Sequence, residues 1–302
     1  MPGCGSVYRE MEGIEWAMKW NTSLSEPMVL ICMWCLRGRS MANRLFCYMV
    51  SRNFWRGWLK QIKPLAEHGY RVIVPDQRGY NQSDVPASVK AYRLEELCKD
   101  IVGIIDYLGY EQAALIGHDW GAAVAWSTAL FYPERIERLG ILNVPHPAVM
   151  FQFLSGNLRQ MLKSWYIGFF QIPGLPDWLM SLDHFSGALR ALKSSGKAGT
   201  FTNEDMAAYR QAYQNSGGLS GMLNWYRALV RYRPDLPQNL RLAMPVIILW
   251  GKQDIALRPE MADESLTFCD HGERFYFDEA THWVQHDAAE EVTRHLVDFL
   301  QA

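Results

Sequence analysis

From about residue 54 onward, apolar positions along the chain alternate between two rhythms. Short apolar runs bounded by turn-forming residues predict strands at "YRVIVPD" (70–76), "QAALIGH" (112–118), "RLGILNVP" (138–145), "PVIILWG" (245–251) and "ERFYFDEA" (273–280). Between them, "LEELCKDIVGIIDYLG" (94–109) has helical spacing and a glycine stop, and "AAVAWSTALFYP" (122–133) reads as a helix ended by Pro133. A last amphipathic helix is predicted over 287–301. This alternation predicts an α/β fold with a mainly parallel sheet flanked by helices. It breaks between about 147 and 236, where Trp, Tyr, Phe and Met recur at helical spacing with few strand signals. That stretch predicts a helical cap inserted between two strands of a core formed by 1–146 and 237–302.

Bulk properties narrow the function classes. The chain has 302 residues, 49% of them apolar, enough for one large core with an insertion. A net charge of −2 gives no general attraction to nucleic acid. No apolar run approaches the roughly 18 residues of a membrane span. Charges in "VYREMEGIEW" predict no signal peptide there. The expectation is a reduced, cytoplasmic protein whose six cysteines are mostly packing residues. "CMWC" (32–35) has redox or metal-like spacing, but no second Cys/His pair nearby completes a site.

"GHDWG" (117–121) follows the strand "AALI" and opens a helix of small residues. That is the setting of a nucleophile elbow, in which Gly117 and Gly121 permit a sharp turn that pushes the central residue into the site. The residue is Asp119, which could instead simply cap the helix. Two later motifs favour the elbow. "WGKQD" ends a strand at Asp254, and "ATHWVQHD" places His282 after the last strand, so nucleophile, acid and histidine follow in α/β-hydrolase order. His286 reads as a surface or packing residue and His118 as structural. Asp76 and Asp84 in "PDQRGYNQSD" read as loop-fixing.

With "PDQRGYNQSD", "GHDWG", "NVPHP" (143–147), "SWYIGFFQIPGLP" (164–176), "LNWYRAL" (223–229) and "THW" (281–283) in this order, the chain from about Phe54 to its end resembles the soluble epoxide hydrolases. The resemblance implies an aspartate nucleophile, Asp119, and a cap supplying two tyrosines, by position Tyr166 and Tyr226. A carboxylate suits attack on saturated carbon, because the product is an ester that water can cleave. The implied chemistry is opening of a small apolar epoxide by Asp119, with the tyrosines assisting the departing oxygen. His282, oriented by Asp254, then activates water, and the Trp120 backbone N–H is one oxyanion donor. No cofactor or metal is implied, and the product is a vicinal diol. A haloalkane or fluoroacetate dehalogenase would share the aspartate and histidine but gain little from a tyrosine pair. A serine-type esterase is disfavoured by Asp119, and a non-catalytic binding protein would require a damaged site.

One segment departs from the family, whose loop before "FW" reads like "LLHGFPEFW", supplies a second oxyanion N–H and turns at a proline. Here it reads "FCYMVSRNFW" (46–55), with no convincing strand ahead of the turn. Residues 28–66 hold no Asp or Glu, seven Lys/Arg and three of the six cysteines. Joining the third base of each codon to the first two of the next forces Leu-Leu from Phe46–Tyr48 and Gly from Met49–Val50, and allows L-L-H-G-F-P-E over the whole loop. Met28 to Cys35 can read G-x-x-L-H-V-V in the same frame. The expectation is a frame shift spanning about 28–53, with a divergent but genuine N-terminus as the alternative.

Overall fold

The computed structural model describes residues 55–302, and upstream of them the backbone of three strands, Met18–Trp20 (β1), Val29–Trp34 (β2) and Phe46–Ser51 (β3). The remaining strands are Arg71–Asp76 (β4), Ala113–His118 (β5), Ile136–Leu142 (β6), Leu242–Gly251 (β7) and Cys269–Phe277 (β8). Together they form an eight-stranded sheet in the order β1-β2-β4-β3-β5-β6-β7-β8. Strands β3 to β8 run parallel to one another, while β1 and β2 are added at one edge, β2 antiparallel to both β4 and β1.

Helices Leu59–Glu67 (α1), Leu94–Tyr107 (α2) and Trp120–Phe131 (α3) follow in chain order. Strand residues alternate between two apolar cores, as the pleat requires. Leu115, Ile141 and Ile248 pack with α2 and α3, whereas Ala114, Ile116 and Leu249 pack with α1 and the C-terminal helix.

Two expectations need correction. No strand was expected over 46–53, yet β3 lies in the middle of the sheet, with Cys47 opposite both Val72 and Ala114. A central parallel strand reads as a continuous apolar run, which "FCYMV" is. The turn residues that normally mark its end are missing from the letters that follow, and this concealed it. The last strand begins at Cys269 instead of 273. It pairs only with β7, and its first half is exposed, so the polar letters "DHGE" carry no burial signal.

Six helices lie between β6 and β7: Pro147–Gly156 (α4), Leu158–Lys163 (α5), Trp165–Phe169 (α6), Leu175–Ser194 (α7), Asn203–Asn215 (α8) and Ser220–Arg231 (α9). Helix α7 is broken in the middle. Asp183, His184 and Phe185 have φ of 47°, 51° and 66°, a left-handed run without glycine. Helix α9 is held against the core where glycine meets glycine. A Cβ on Gly221 would lie 2.6 Å from the Gly79 Cα. Beside this contact the Trp225 indole N–H donates to the Arg78 carbonyl at 3.1 Å. The chain ends with Glu260–Leu266 (α10), Val284–Asp287 (α11) and Ala289–Gln301 (α12). Among the described residues no helix is long and apolar enough to cross a membrane.

Candidate active site

The carboxyl ends of β5, β6 and β7 converge on one point. At the end of β5, Asp119 adopts φ 53°, ψ −130° and is the N-cap of α3. The elbow and the capping reading therefore describe the same residue. The turn depends on Gly117, whose Cβ would come within 2.6 Å of the Ala122 Cα. Holding a non-glycine residue in such backbone costs about 1–3 kcal/mol, which the surrounding packing must overcome.

The two Asp119 oxygens have different partners. Oδ1 accepts the Trp120 backbone N–H at 2.6 Å, and Oδ2 lies 2.7 Å from His282 Nε2. His282 Nδ1–H donates to Asp254 Oδ2 at 2.7 Å. Asp254 is buried, and its Oδ1 accepts the backbone N–H groups of Ala256 and Leu257 at 2.7 and 2.9 Å. The result is a carboxylate–imidazole–carboxylate chain closed off from solvent on its Asp254 side. Burial by itself would lower the His282 pKa. The charge of Asp254, then hydrogen bonding to Asp119 and Asp254, outweigh it and push the value up to about 10. Burial would raise the Asp254 pKa, but the His282 charge and the bonds from His282, Leu257 and Asn143 hold it below the usual carboxylate range.

Asn143 was not singled out as a site residue. It follows β6 at φ 50°, and its Nδ2–H donates to Asp254 Oδ2 at 2.9 Å while its Oδ1 accepts the Gly251 N–H at 2.9 Å. One side chain thus locks the end of β7 and aims the acid. The signals were its place at the head of the "NVPHP" motif and a polar letter directly after an apolar strand, and its meaning depends on the β6–β7 register. Gly251 allows the histidine loop to approach, since a Cβ there would sit 2.1 Å from the Thr281 carbonyl oxygen. From the other side His118 Nε2–H donates to the His282 carbonyl at 2.8 Å. His286 packs against Phe201 at 5.4 Å between ring centroids. Asp76 accepts the Trp55 N–H and the Asn81 side-chain amide at 3.2 and 2.7 Å, and the Asp84 carbonyl accepts the Gly79 N–H at 2.8 Å.

Tyr166 on α6 and Tyr226 on α9 meet edge to face, 5.7 Å between centroids, and Tyr226 stands edge-on to Trp120 at 4.9 Å. Both tyrosines line a cavity of about 400 Å³ together with Asp119, Trp120 and His282, and the rest of its wall is mostly apolar. Cys98 and Cys269 are buried free thiols. The "CMWC" motif and the loop at 52–54, which would carry the second oxyanion donor, fall outside the described side chains.

Histidine burial has a consequence for stability. Burial, reinforced by the charge of His282, pushes the His118 pKa down to about 3, and burial pushes His146 down to about 4. Unfolded, both would titrate near 6.5. Below that pH the unfolded chain binds protons that the native state refuses, so stability present above about 6.5 is lost as pH falls. Denaturant unfolding across this range should lose up to ~1.4 kcal/mol per pH unit for each histidine between about pH 6 and 4.5. A flat profile there would show that these two rings accept protons in the native state.

The family model for the alpha/beta hydrolase fold matches residues 45–289, reaching into the segment that departs from the expected loop. The chain is 40% identical over 248 residues to the AB hydrolase superfamily protein YfhM of Bacillus subtilis (strain 168), covering 82% of this chain and 86% of that one. It is 36% identical over 255 residues to Epoxide hydrolase 4 of Mus musculus, covering 82% and 70%. The chain belongs to the epoxide hydrolase family of the α/β-hydrolase fold. Among solved structures of this family, the Bacillus megaterium epoxide hydrolase in complex with an inhibitor matches with a TM-score of 0.82 at 30% identity, over 91% of this chain and 98% of that one.

Proposed function

We propose that this epoxide hydrolase opens an apolar epoxide to a vicinal diol through a covalent ester on Asp119, with residues 147–236 as the cap that closes over the substrate. One observation carries this reading: two tyrosines meet edge to face on the wall of the same apolar cavity as Asp119 and His282. Oδ2 of Asp119 attacks an epoxide carbon, and the C–O bond breaks with its electron pair going to the ring oxygen. A hydroxyl of Tyr166 or Tyr226 protonates that oxygen. Oδ1, already held by the Trp120 N–H, is the future carbonyl oxygen and hence the future oxyanion.

The electrostatics of His282 suit such a sequence. Alkylation removes the Asp119 charge that helps keep the imidazolium protonated. The His282 pKa then falls, and its proton returns to the tyrosinate through solvent. The neutral imidazole takes a proton from water as the hydroxide adds to the ester carbon. Collapse expels the diol oxygen, which receives the remaining hydroxyl proton, and restores the Asp119 carboxylate beside an imidazolium. The cycle consumes one water and needs no cofactor.

The cavity wall favours a lipid-derived or aromatic epoxide. A mutant of the Bacillus megaterium relative has been solved with a naphthyloxy-propanediol product, a diol bearing an aromatic group. Cytoplasmic residence fits the buried thiols of Cys98 and Cys269. A test separates this reading from dehalogenation. With styrene oxide and a bromoalkane offered in parallel, diol should form and bromide should not. Tyr166→Phe and Tyr226→Phe should each slow ester formation by about 10- to 100-fold, the worth of a hydrogen bond to a charged oxygen. Bromide release unaffected by either substitution would instead identify a dehalogenase.

A further inference from the structure

Helix α5 is turned inside out. A surface helix normally buries its apolar stripe and shows its polar residues to water. Here Leu158, Met161 and Leu162 are exposed, and the buried side chain is Gln160, at 0% exposure. Burying an amide costs more than burying an apolar side chain of its size unless its hydrogen bonds are made. Gln160 makes them at one end. Its Nε2 donates to the Ser164 Oγ at 3.0 Å and to the Ala256 carbonyl at 2.8 Å. Its Oε1 is buried without a partner among the described residues. The Ala256 carbonyl fixes which end is the nitrogen, since a carbonyl only accepts.

These bonds reach the loop that carries the acid. The Ala256 carbonyl and the Leu257 N–H belong to one peptide unit and point in opposite directions. The carbonyl accepts from Gln160, and the N–H donates to Asp254 Oδ1 at 2.9 Å. Gln160 thus holds one side of a peptide whose other side holds the acid. Each bond in such a row polarises the next. The second N–H of the amide is tied to Ser164, which leads directly into α6, the helix of Tyr166. Asn143 sets Oδ2 of Asp254 from the core, so Oδ1 is the oxygen governed through an inserted helix. A second tether from α5, Lys163 Nζ to the Asp254 carbonyl at 3.3 Å, reaches the same loop but not the peptide that faces the carboxylate.

We infer that Gln160 is a positioning residue: through the Ala256–Leu257 peptide it holds Asp254, and so His282, in the alignment that ester hydrolysis requires. The inference rests on the two-step reading of the reaction, in which Asp119 and the tyrosines serve alkylation and His282 serves as base in hydrolysis alone. Single-turnover kinetics of the full chain on styrene oxide, followed by intact mass, separates adduct growth from adduct decay. Gln160→Met, close in size but without a donor, should slow decay by about three- to tenfold, the worth of one hydrogen bond. Adduct growth and the melting temperature should stay at their parental values. Lys163→Met should leave both rates unchanged. Gln160→Leu repeats the test with a smaller side chain. A second readout needs no substrate. The proton between His282 Nδ1 and Asp254 gives a far-downfield proton NMR signal, assigned by its loss in His282→Gln. It should shift in Gln160→Met and stay in place in Lys163→Met. Unchanged decay in both Gln160 variants overturns the inference, as does equal slowing of both steps with a lowered melting temperature, which marks a merely structural side chain. If the parental chain forms no adduct, the two-step reading fails, and the NMR signal decides for Gln160: an unmoved signal in Gln160→Met overturns its positioning role.

Discussion

His282→Gln, in a chain carrying the "LLHGFPE" loop, is expected to alkylate and then stall. Asp119, Trp120 and both tyrosines remain, so the first half-reaction keeps its nucleophile and its proton donors. The second half loses His282, the base assigned above to activate water, whose Nε2 lies 2.7 Å from Asp119 Oδ2. Removing a positioned general base costs about a hundred- to ten-thousandfold. Steady-state diol formation should fall by that factor, while an intact-mass measurement shows the protein heavier by one substrate. The added mass should map to the peptide containing Asp119, and Asp119→Asn should carry none. Turnover at the parental rate would remove His282 from the mechanism. An adduct on the Asp119→Asn protein would remove Asp119.

The second large effect concerns the loop ahead of Trp55. Among the described residues, the Trp120 backbone N–H donates to Oδ1 of Asp119 at 2.6 Å. A tetrahedral intermediate at Asp119 concentrates charge on that oxygen, and losing a single donor from such a hole costs about a hundred- to thousandfold. The chain with "FCYMVSRNFW" should therefore form diol slower by at least about a hundredfold than the same chain with "LLHGFPE" restored. Ester hydrolysis should suffer more than alkylation, because the tyrosines serve the first step whatever the loop. Single-turnover kinetics, separating a fast adduct from its slow decay, measures the two. Equal rates would mean that the present loop supplies its own donor and that the frame argument is wrong. The coding sequence gives an independent check: stop codons in the neighbouring frame over 28–53 would end it.

The parts of this protein that were legible in its letters are those where sterics leave few choices. The elbow was readable because Gly117 tolerates no side chain beside Ala122. The order Asp119, Asp254, His282 was readable because Asp119 and Asp254 each follow an apolar run that reads as a buried strand, and His282 follows the last strand signal in the chain. The tyrosines came through resemblance, since nothing in their spacing separates them from the other aromatics of the inserted helices. What stayed hidden depends on which strands become neighbours. Asn143 acts by reaching Asp254 and Gly251, 111 and 108 residues further on. The Gly79–Gly221 contact that seats α9, and with it Tyr226, also joins segments remote in sequence. Strand β3 was hidden for a different reason: its own run is apolar enough, but the punctuation after it is absent.

The break in α7 makes one apolar stripe answer to two environments. Leu175, Leu182 and Leu189 are spaced by sevens, and a straight helix would carry all three on one side. Instead Leu182 is exposed and Leu189 is buried, because the left-handed turn at 183–185 redirects the axis between them. The two halves therefore meet different surroundings, although a hydropathy profile sees one continuous feature. Leu175, Trp178, Leu179 and Leu182 before the turn are exposed. Ala188, Ala191 and Leu192 after it line the cavity, as Met180 does just before it. Residues 183–185 make the turn, and Phe185 also stands edge-on to Tyr213 at 5.7 Å between ring centroids.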